Sequence, residues 1–131
     1  MLALYSQQSY ERSQTIAVLE SYFEGIGGYG CLFPSAKKIL LKPNFVVPED
    51  PSCGATTNPQ FYMAIADYFL AQGCEVGIGD SPAFGTCRKA LKFHGVLDEC
   101  LAKGIHIVEF RQSEKYPGVQ QSSYKELSIA A

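Results

Sequence analysis

The sequence predicts an α/β domain of three layers, a mostly parallel sheet with helices on both faces. Three observations lead there. Strand-like and helix-like patterns alternate along the chain, the order that builds parallel βαβ units. Ile39-Leu40-Leu41 is an unbroken apolar run of strand length, as expected of a strand covered on both faces. The candidate strands also end in polar or turn-forming segments: Lys42-Pro43-Asn44, Asp80-Ser81-Pro82 and Glu109-Phe110-Arg111. Right-handed crossovers would bring these three segments to one rim, where ligands of such sheets bind.

The elements follow in order. Leu2–Tyr5 is a short apolar stretch that reads as a first strand. From Glu11 the period becomes helical, with Ile16, Leu19, Phe23 and Ile26 on one face, and the glycines from Gly25 to Gly30 end the helix. Lys38–Leu41 is the next strand. Pro43, which cannot donate to a ladder, stops it. Residues 47–58 form a loop rich in Pro, Gly, Ser and Thr, unusually long for a small domain and of the kind that carries function. Asn58 as N-cap and Pro59 at the first helical position start a second helix. Its core face is predicted to be Phe61, Ile65, Tyr68 and Phe69, widened by Met63, Ala66 and Leu70, and Gly73 closes it. Cys74–Gly79 is a strand. Thr86 to Lys103 is helical with a break at His94-Gly95, and Ile105–Phe110 is a further strand. Beyond Arg111 the sequence reads as a polar loop through Tyr116-Pro117-Gly118. The apolar ending, Leu127 to Ala131, reads as a chain cut before its next element.

With 131 residues the chain is expected to form a single domain, residues 1–131. A hydrophobic share of 47% against 18% charged residues excludes a disordered chain. Eleven basic residues against thirteen acidic ones give a net charge of −2, with no surplus to displace counterions from a nucleic acid. No stretch approaches the roughly 20 apolar residues that cross a bilayer, and the N-terminus lacks the basic region of a signal peptide. The expected partners therefore include no nucleic acid and no membrane. Five scattered cysteines without a CxxC pair suit a reducing compartment, so the expected location is cytoplasmic. Their spacing is not that of iron–sulfur ligands, and neither a cofactor nor a metal is expected within this chain.

The chemistry is expected at the rim. Lys42 follows a strand predicted to be buried, where an ammonium is costly unless paired; it reads as an anion ligand or tuned base, or as a strand-end lysine snorkelling to water. Asn44 could orient a ligand or tie down its loop. Asp80 could pair with Lys42, hold a cation, act as a base, or simply form a turn. Gly77 and Gly79 leave its strand bare, as where a ligand or another backbone comes close. Ser81 has no sequence neighbour to activate it as a nucleophile. Thr56, Thr57 and Asn58 sit at a helix start, which suits both anion binding and plain N-capping. Gly25 to Gly30 matches G-x-G-x-x-G but follows a helix instead of a strand, and Gly79 to Thr86 lacks a phosphate loop's lysine; both are discarded. Cys53 is a candidate reactive thiol, and His106 reads as a core or face residue.

Leu41-Lys42-Pro43-Asn44, Gly54-Ala55-Thr56-Thr57-Asn58-Pro59 and Ile78-Gly79-Asp80-Ser81-Pro82 together resemble the ordered motifs of the domain of unknown function family 362 (DUF362). The resemblance runs from Ile39 to Phe110. It implies an α/β fold, often joined to a ferredoxin-like iron–sulfur module, so that a [4Fe-4S] cluster belongs to a longer parent protein. The family usually has His where Asn58 stands, and its domain continues past Ala131 into a strand and a Lys-rich, His-containing motif. The chain thus resembles an N-terminal portion. Its expected function is to bind a small anionic ligand, neutralised by Lys42 and the helix start at 57–59 and positioned by Asn44 and Asp80, within a redox enzyme's larger frame. The rival expectations are a non-catalytic scaffold domain, in which Lys42 and Asp80 form a structural ion pair, and an inactive fragment.

Overall fold

In the computed structural model, residues 5–7, 9–32, 34–35, 37–46, 49–110, 112–117 and 126–130 are described. The strand expected at Leu2–Tyr5 lies outside them apart from Tyr5, whose ring meets Tyr22 edge-on. Helix α1 covers Arg12–Gly25 and ends where Gly27 and Gly28 take positive φ, the amide of Gly28 bonding back to the Phe23 carbonyl. Strand β1 (Lys38–Leu41) leads through the loop and a short 3-10 turn at Pro51–Cys53 to α2 (Pro59–Ala71). Then come β2 (Glu75–Asp80), α3 (Cys87–Phe93), α4 (Leu97–Ala102) and β3 (His106–Glu109). The predicted helix break is present, with Gly95 at φ +72 between α3 and α4.

The three strands pair in parallel in the order β1-β2-β3, as the alternating pattern requires. Ile39, Leu41, Val76, Ile78 and Ile107 share one face. They join a core with Met63, Ala66 and Phe69 of α2, Ala90 and Leu91 of α3 and Cys100 of α4. Met63, Ile78 and Leu91 are fully buried, and burying each such side chain contributes roughly 1.5–3 kcal/mol. A strand order that advances in one direction sends successive crossovers of one hand over the same face. The expected second helical layer is not among the described residues. Leu40, on the opposite face with Gly77, His106 and Val108, is accordingly 52% exposed, although its apolar run predicted cover on both sides.

Helix α1 packs on α2, with the ring of Phe23 stacked on Tyr68 at 5.4 Å. Arg12 pairs with Asp67 and Glu99, and Lys103 with the same two carboxylates, which ties α1 and α2 to α4. Of the predicted core face of α2, Met63, Ala66, Tyr68 and Phe69 are buried and Ile65 and Leu70 pack against the core; Tyr62 and Ala64 join them, while Phe61 is 39% exposed. Phe61 opens the first turn, beyond the sheet's cover, so its apolarity alone misplaced it. The polar loop expected after Arg111 is instead β4 (Ser113–Pro117), paired antiparallel with β5 (Glu126–Ala130). Glu and Lys are poor strand formers, but the ladder needs only their backbone groups.

Candidate functional site

The rim is assembled around Asp80, the last residue of β2. It is 5% exposed. One carboxylate oxygen accepts the Phe45 amide at 2.7 Å, and the other lies 2.6 Å from the Lys42 ammonium. The Ser81 amide donates to the same carboxylate. Burial alone would raise the pKa of Asp80; the Lys42 ammonium and the two amides outweigh it and hold the group below the usual carboxylate value. Asp80 thereby fastens residues 42–45 over the end of β2, and the Ala83 amide adds a bond to the Val46 carbonyl.

Lys42 has its head in water, as in the second of its two readings. Its side chain is 63% exposed, because β1 is an edge strand among the described residues and the chain leaves it at Pro43. The ammonium is paired but not buried. A groove of about 290 Å³ lies beside it, with Leu40, Pro43, Thr57, Phe61 and Ile65 in its wall.

Asn44, Thr56 and Thr57 are locked to one another. The Asn44 amide donates to Thr57 Oγ1 at 2.9 Å, Thr57 N–H and Thr56 O–H donate to the Asn44 carbonyl, and Asn44 Nδ2 donates to the Ala55 carbonyl. Phe45 and Thr56 form an antiparallel bridge. These residues stitch the long loop to the strand end. Asn58 caps α2, its side chain accepting the Gln60 amide at 2.9 Å, so one N–H of the expected anion site is already used. Ser81 is exposed at the rim.

Glu109 and His94 complete the picture, and sequence reasoning assigned neither a role. Glu109 stands beside Asp80 in the sheet register and accepts the Cys87 and Arg88 amides at 3.0 Å, holding the start of α3. His94, at the other end of α3, has its Nδ1 3.1 Å from the Tyr62 hydroxyl, and its ring meets Phe45 edge-on. Burial lowers the imidazole pKa, against smaller opposing effects of the Glu49 carbonyl and the Asp50 charge. The only sequence signal was the helix break at His94-Gly95; nothing in the spacing joined it to a loop some 40 residues away. The bareness of β2 also has its explanation. A Cβ on Gly79 would stand 2.8 Å from the Cβ of Val108, so it is the neighbouring strand that comes close.

The thiols are dispersed, with Cys31 and Cys53 at the surface and Cys74, Cys87 and Cys100 buried. Among the described residues no three His, Cys, Asp or Glu side chains form a metal-holding group. The described residues do not fit a [4Fe-4S] cluster, whose four thiolates must converge.

The profile described as Domain of unknown function (DUF362) matches residues 39–131, and the chain belongs to that family. A relative, Thylakoid-associated protein sll1697 of Synechocystis sp., is 36% identical over 110 residues, covering 84% of this chain and 34% of the relative. The chain thus spans about a third of that relative's length. No solved structure matches it.

Proposed function

We propose that this DUF362 domain binds a small anionic ligand at the rim of its parallel sheet, with Lys42 as the direct contact. The observation that carries this reading is the asymmetry of the Lys42–Asp80 pair: the ammonium is held at 2.6 Å by a buried carboxylate while its own side chain is 63% exposed. An ammonium has three N–H donors, and one suffices for Asp80. The Asp80 charge is shared with two backbone amides. Lys42 is therefore fixed in place with donors to spare, beside a largely apolar groove that would take the body of an amphipathic anion. Asp80 positions Lys42, Asn44, Thr56 and Thr57 brace the loop, Asn58 orders the helix start, and Ser81 offers a hydroxyl at the edge. Redox chemistry with an iron–sulfur module belongs to the reading of a longer protein. The proposed compartment is the cytoplasm.

A scaffold reading is favoured by a different observation: Asn44, Thr56, Thr57 and Asp80 are already satisfied by one another. Calorimetric titration of the chain with inorganic phosphate and with succinate, repeated on Lys42→Met and paired with thermal melts, separates the two. Binding by the native chain that Lys42→Met loses, with little change in melting, supports the ligand site. Failure of the native chain to bind either anion, with marked destabilisation by Lys42→Met, supports the scaffold and removes the site.

A further inference from the structure

Helix α3 turns a cationic and aromatic surface to solvent that the rim does not use. Cys87, Ala90 and Leu91 are its buried residues, which leaves Arg88, Lys89, Lys92 and Phe93 exposed. At about 100° per residue these four fill one continuous arc of the helix. None of the three cations pairs with a described carboxylate, whereas Arg12, Lys38, Lys42 and Lys103 all do. Phe93 is 57% exposed at one end of the arc, and Phe84, in the segment just ahead of the helix, is 72% exposed. Between α3 and α4 lies a shallow concavity of about 630 Å³, walled by Thr86, Arg88, Lys89, Lys92 and Leu97, with Asp98 as its one carboxylate.

We propose that this surface docks on the face of an anionic lipid bilayer. Arg88, Lys89 and Lys92 lie over lipid phosphates, and the rings of Phe84 and Phe93 enter the boundary between headgroups and acyl chains. Cations beside exposed aromatic rings are the composition of an interfacial surface: the charges draw the protein to anionic headgroups and the rings gain by leaving water. No described helix is long and apolar enough to cross a membrane, and lying on one is a separate property. A nucleic acid or an acidic protein would match the same charges. The chain's net charge of −2 leaves no basic surplus for a nucleic acid, and an acidic protein asks nothing of two solvent-facing phenylalanines, whereas a bilayer takes both the local cations and the rings.

Cosedimentation of the whole chain with vesicles tests this. One set is equimolar phosphatidylglycerol and phosphatidylcholine, the other phosphatidylcholine alone. Binding is expected to the anionic vesicles only, to fall with added salt, and to drop about fivefold for each cation removed. Arg88→Glu/Lys89→Glu/Lys92→Glu is expected to abolish it and Lys89→Glu alone to weaken it, whereas Lys37→Glu, a single reversal equal to the latter but outside the patch, should leave it nearly unchanged. Phe84→Ser/Phe93→Ser should weaken it several-fold at constant charge. All these positions are exposed, and circular dichroism confirms that each variant is folded. Absence of binding to anionic vesicles overturns the proposal, as does binding that survives the triple reversal. Retention by heparin or polyglutamate with no effect of the phenylalanine changes would assign the surface to a polyanion or acidic protein instead, and would equally overturn it.

Discussion

Lys42 and Asp80 come from the ends of two neighbouring strands and meet at 2.6 Å, yet one side chain is 63% exposed and the other 6%. The pair is therefore neither a surface salt bridge nor a buried one. Its energetics divide unequally: Asp80 depends on its partners for the cost of burial, whereas Lys42 keeps most of its hydration.

Truncating the two partners should accordingly have different consequences. Asp80→Ala deprives Phe45 N–H and Ser81 N–H of their acceptor and releases the strand end, and is expected to cost about 3 kcal/mol. Lys42→Met removes an exposed charge and leaves Asp80 its two amides, and is expected to cost about 1 kcal/mol. Urea denaturation of both variants checks the order. If Lys42→Met is the more damaging, the ammonium is structural first and a ligand contact second.

The parallel order of strands was legible because each apolar run was short, bounded by Gly or Pro, and separated by a helical period. The meeting of Lys42 with Asp80 followed from that order alone, since strand ends in a parallel sheet share an edge. Periodicity could not show that Leu40 faces solvent, because an apolar run looks the same whether or not a second layer covers it. Nor could it show Phe61 exposed in the first turn of α2. Glu109 and His94 escaped because their roles are long-range: one caps a helix 22 positions back, and the other meets Tyr62 32 positions away.

Acidification should lower the stability of the domain in two steps. His94 has a folded pKa below its ordinary value of 6.5, so the unfolded chain binds its proton more tightly and stability falls as pH drops through that value. Asp80 and Glu99 have folded pKa values below their ordinary 3.8 and 4.5, Glu99 at about 2 chiefly through its bond to Arg12. Their stabilisation is complete above the unfolded values and is lost as pH falls through the folded ones. Thermal melts from about pH 8 down to about pH 3 should show both declines. His94→Gln should remove the first and spare the second; a first decline that persists in His94→Gln would assign it to another group.

Thiol labelling reports the packing of α3 and α4. Burial, aided by the Glu109 charge, pushes the Cys87 thiol up to about 12, and burial pushes Cys100 up to about 11, so neither offers thiolate at neutral pH. Cys31 and Cys53 are exposed and Cys74 is buried. A thiol-reactive chromophore added to the native chain should therefore label Cys31 and Cys53 rapidly, and the remaining three only in denaturant. Rapid native labelling of Cys87 would mean that α3 opens away from β3.

Gly77 and Gly79 look alike in sequence and should not behave alike. Neither has positive φ, so an added methyl meets no backbone strain and its effect is decided by space. At Gly79 the new Cβ would fall 2.8 Å from Val108 Cβ and 2.9 Å from the Val108 carbonyl oxygen. That residue is its direct partner in the β2–β3 ladder, so the clash is relieved only by moving the strands apart. At Gly77 the nearest atom is the tip of the half-exposed Leu40 side chain at 3.3 Å, which can swing into solvent. Gly79→Ala is expected to cost about 2–3 kcal/mol. Gly77→Ala should stay within about 1 kcal/mol of the native chain, because alanine also narrows the unfolded ensemble. Urea melts of the two variants decide the matter, and equal midpoints would mean that β2 and β3 do not approach each other as closely as this register requires.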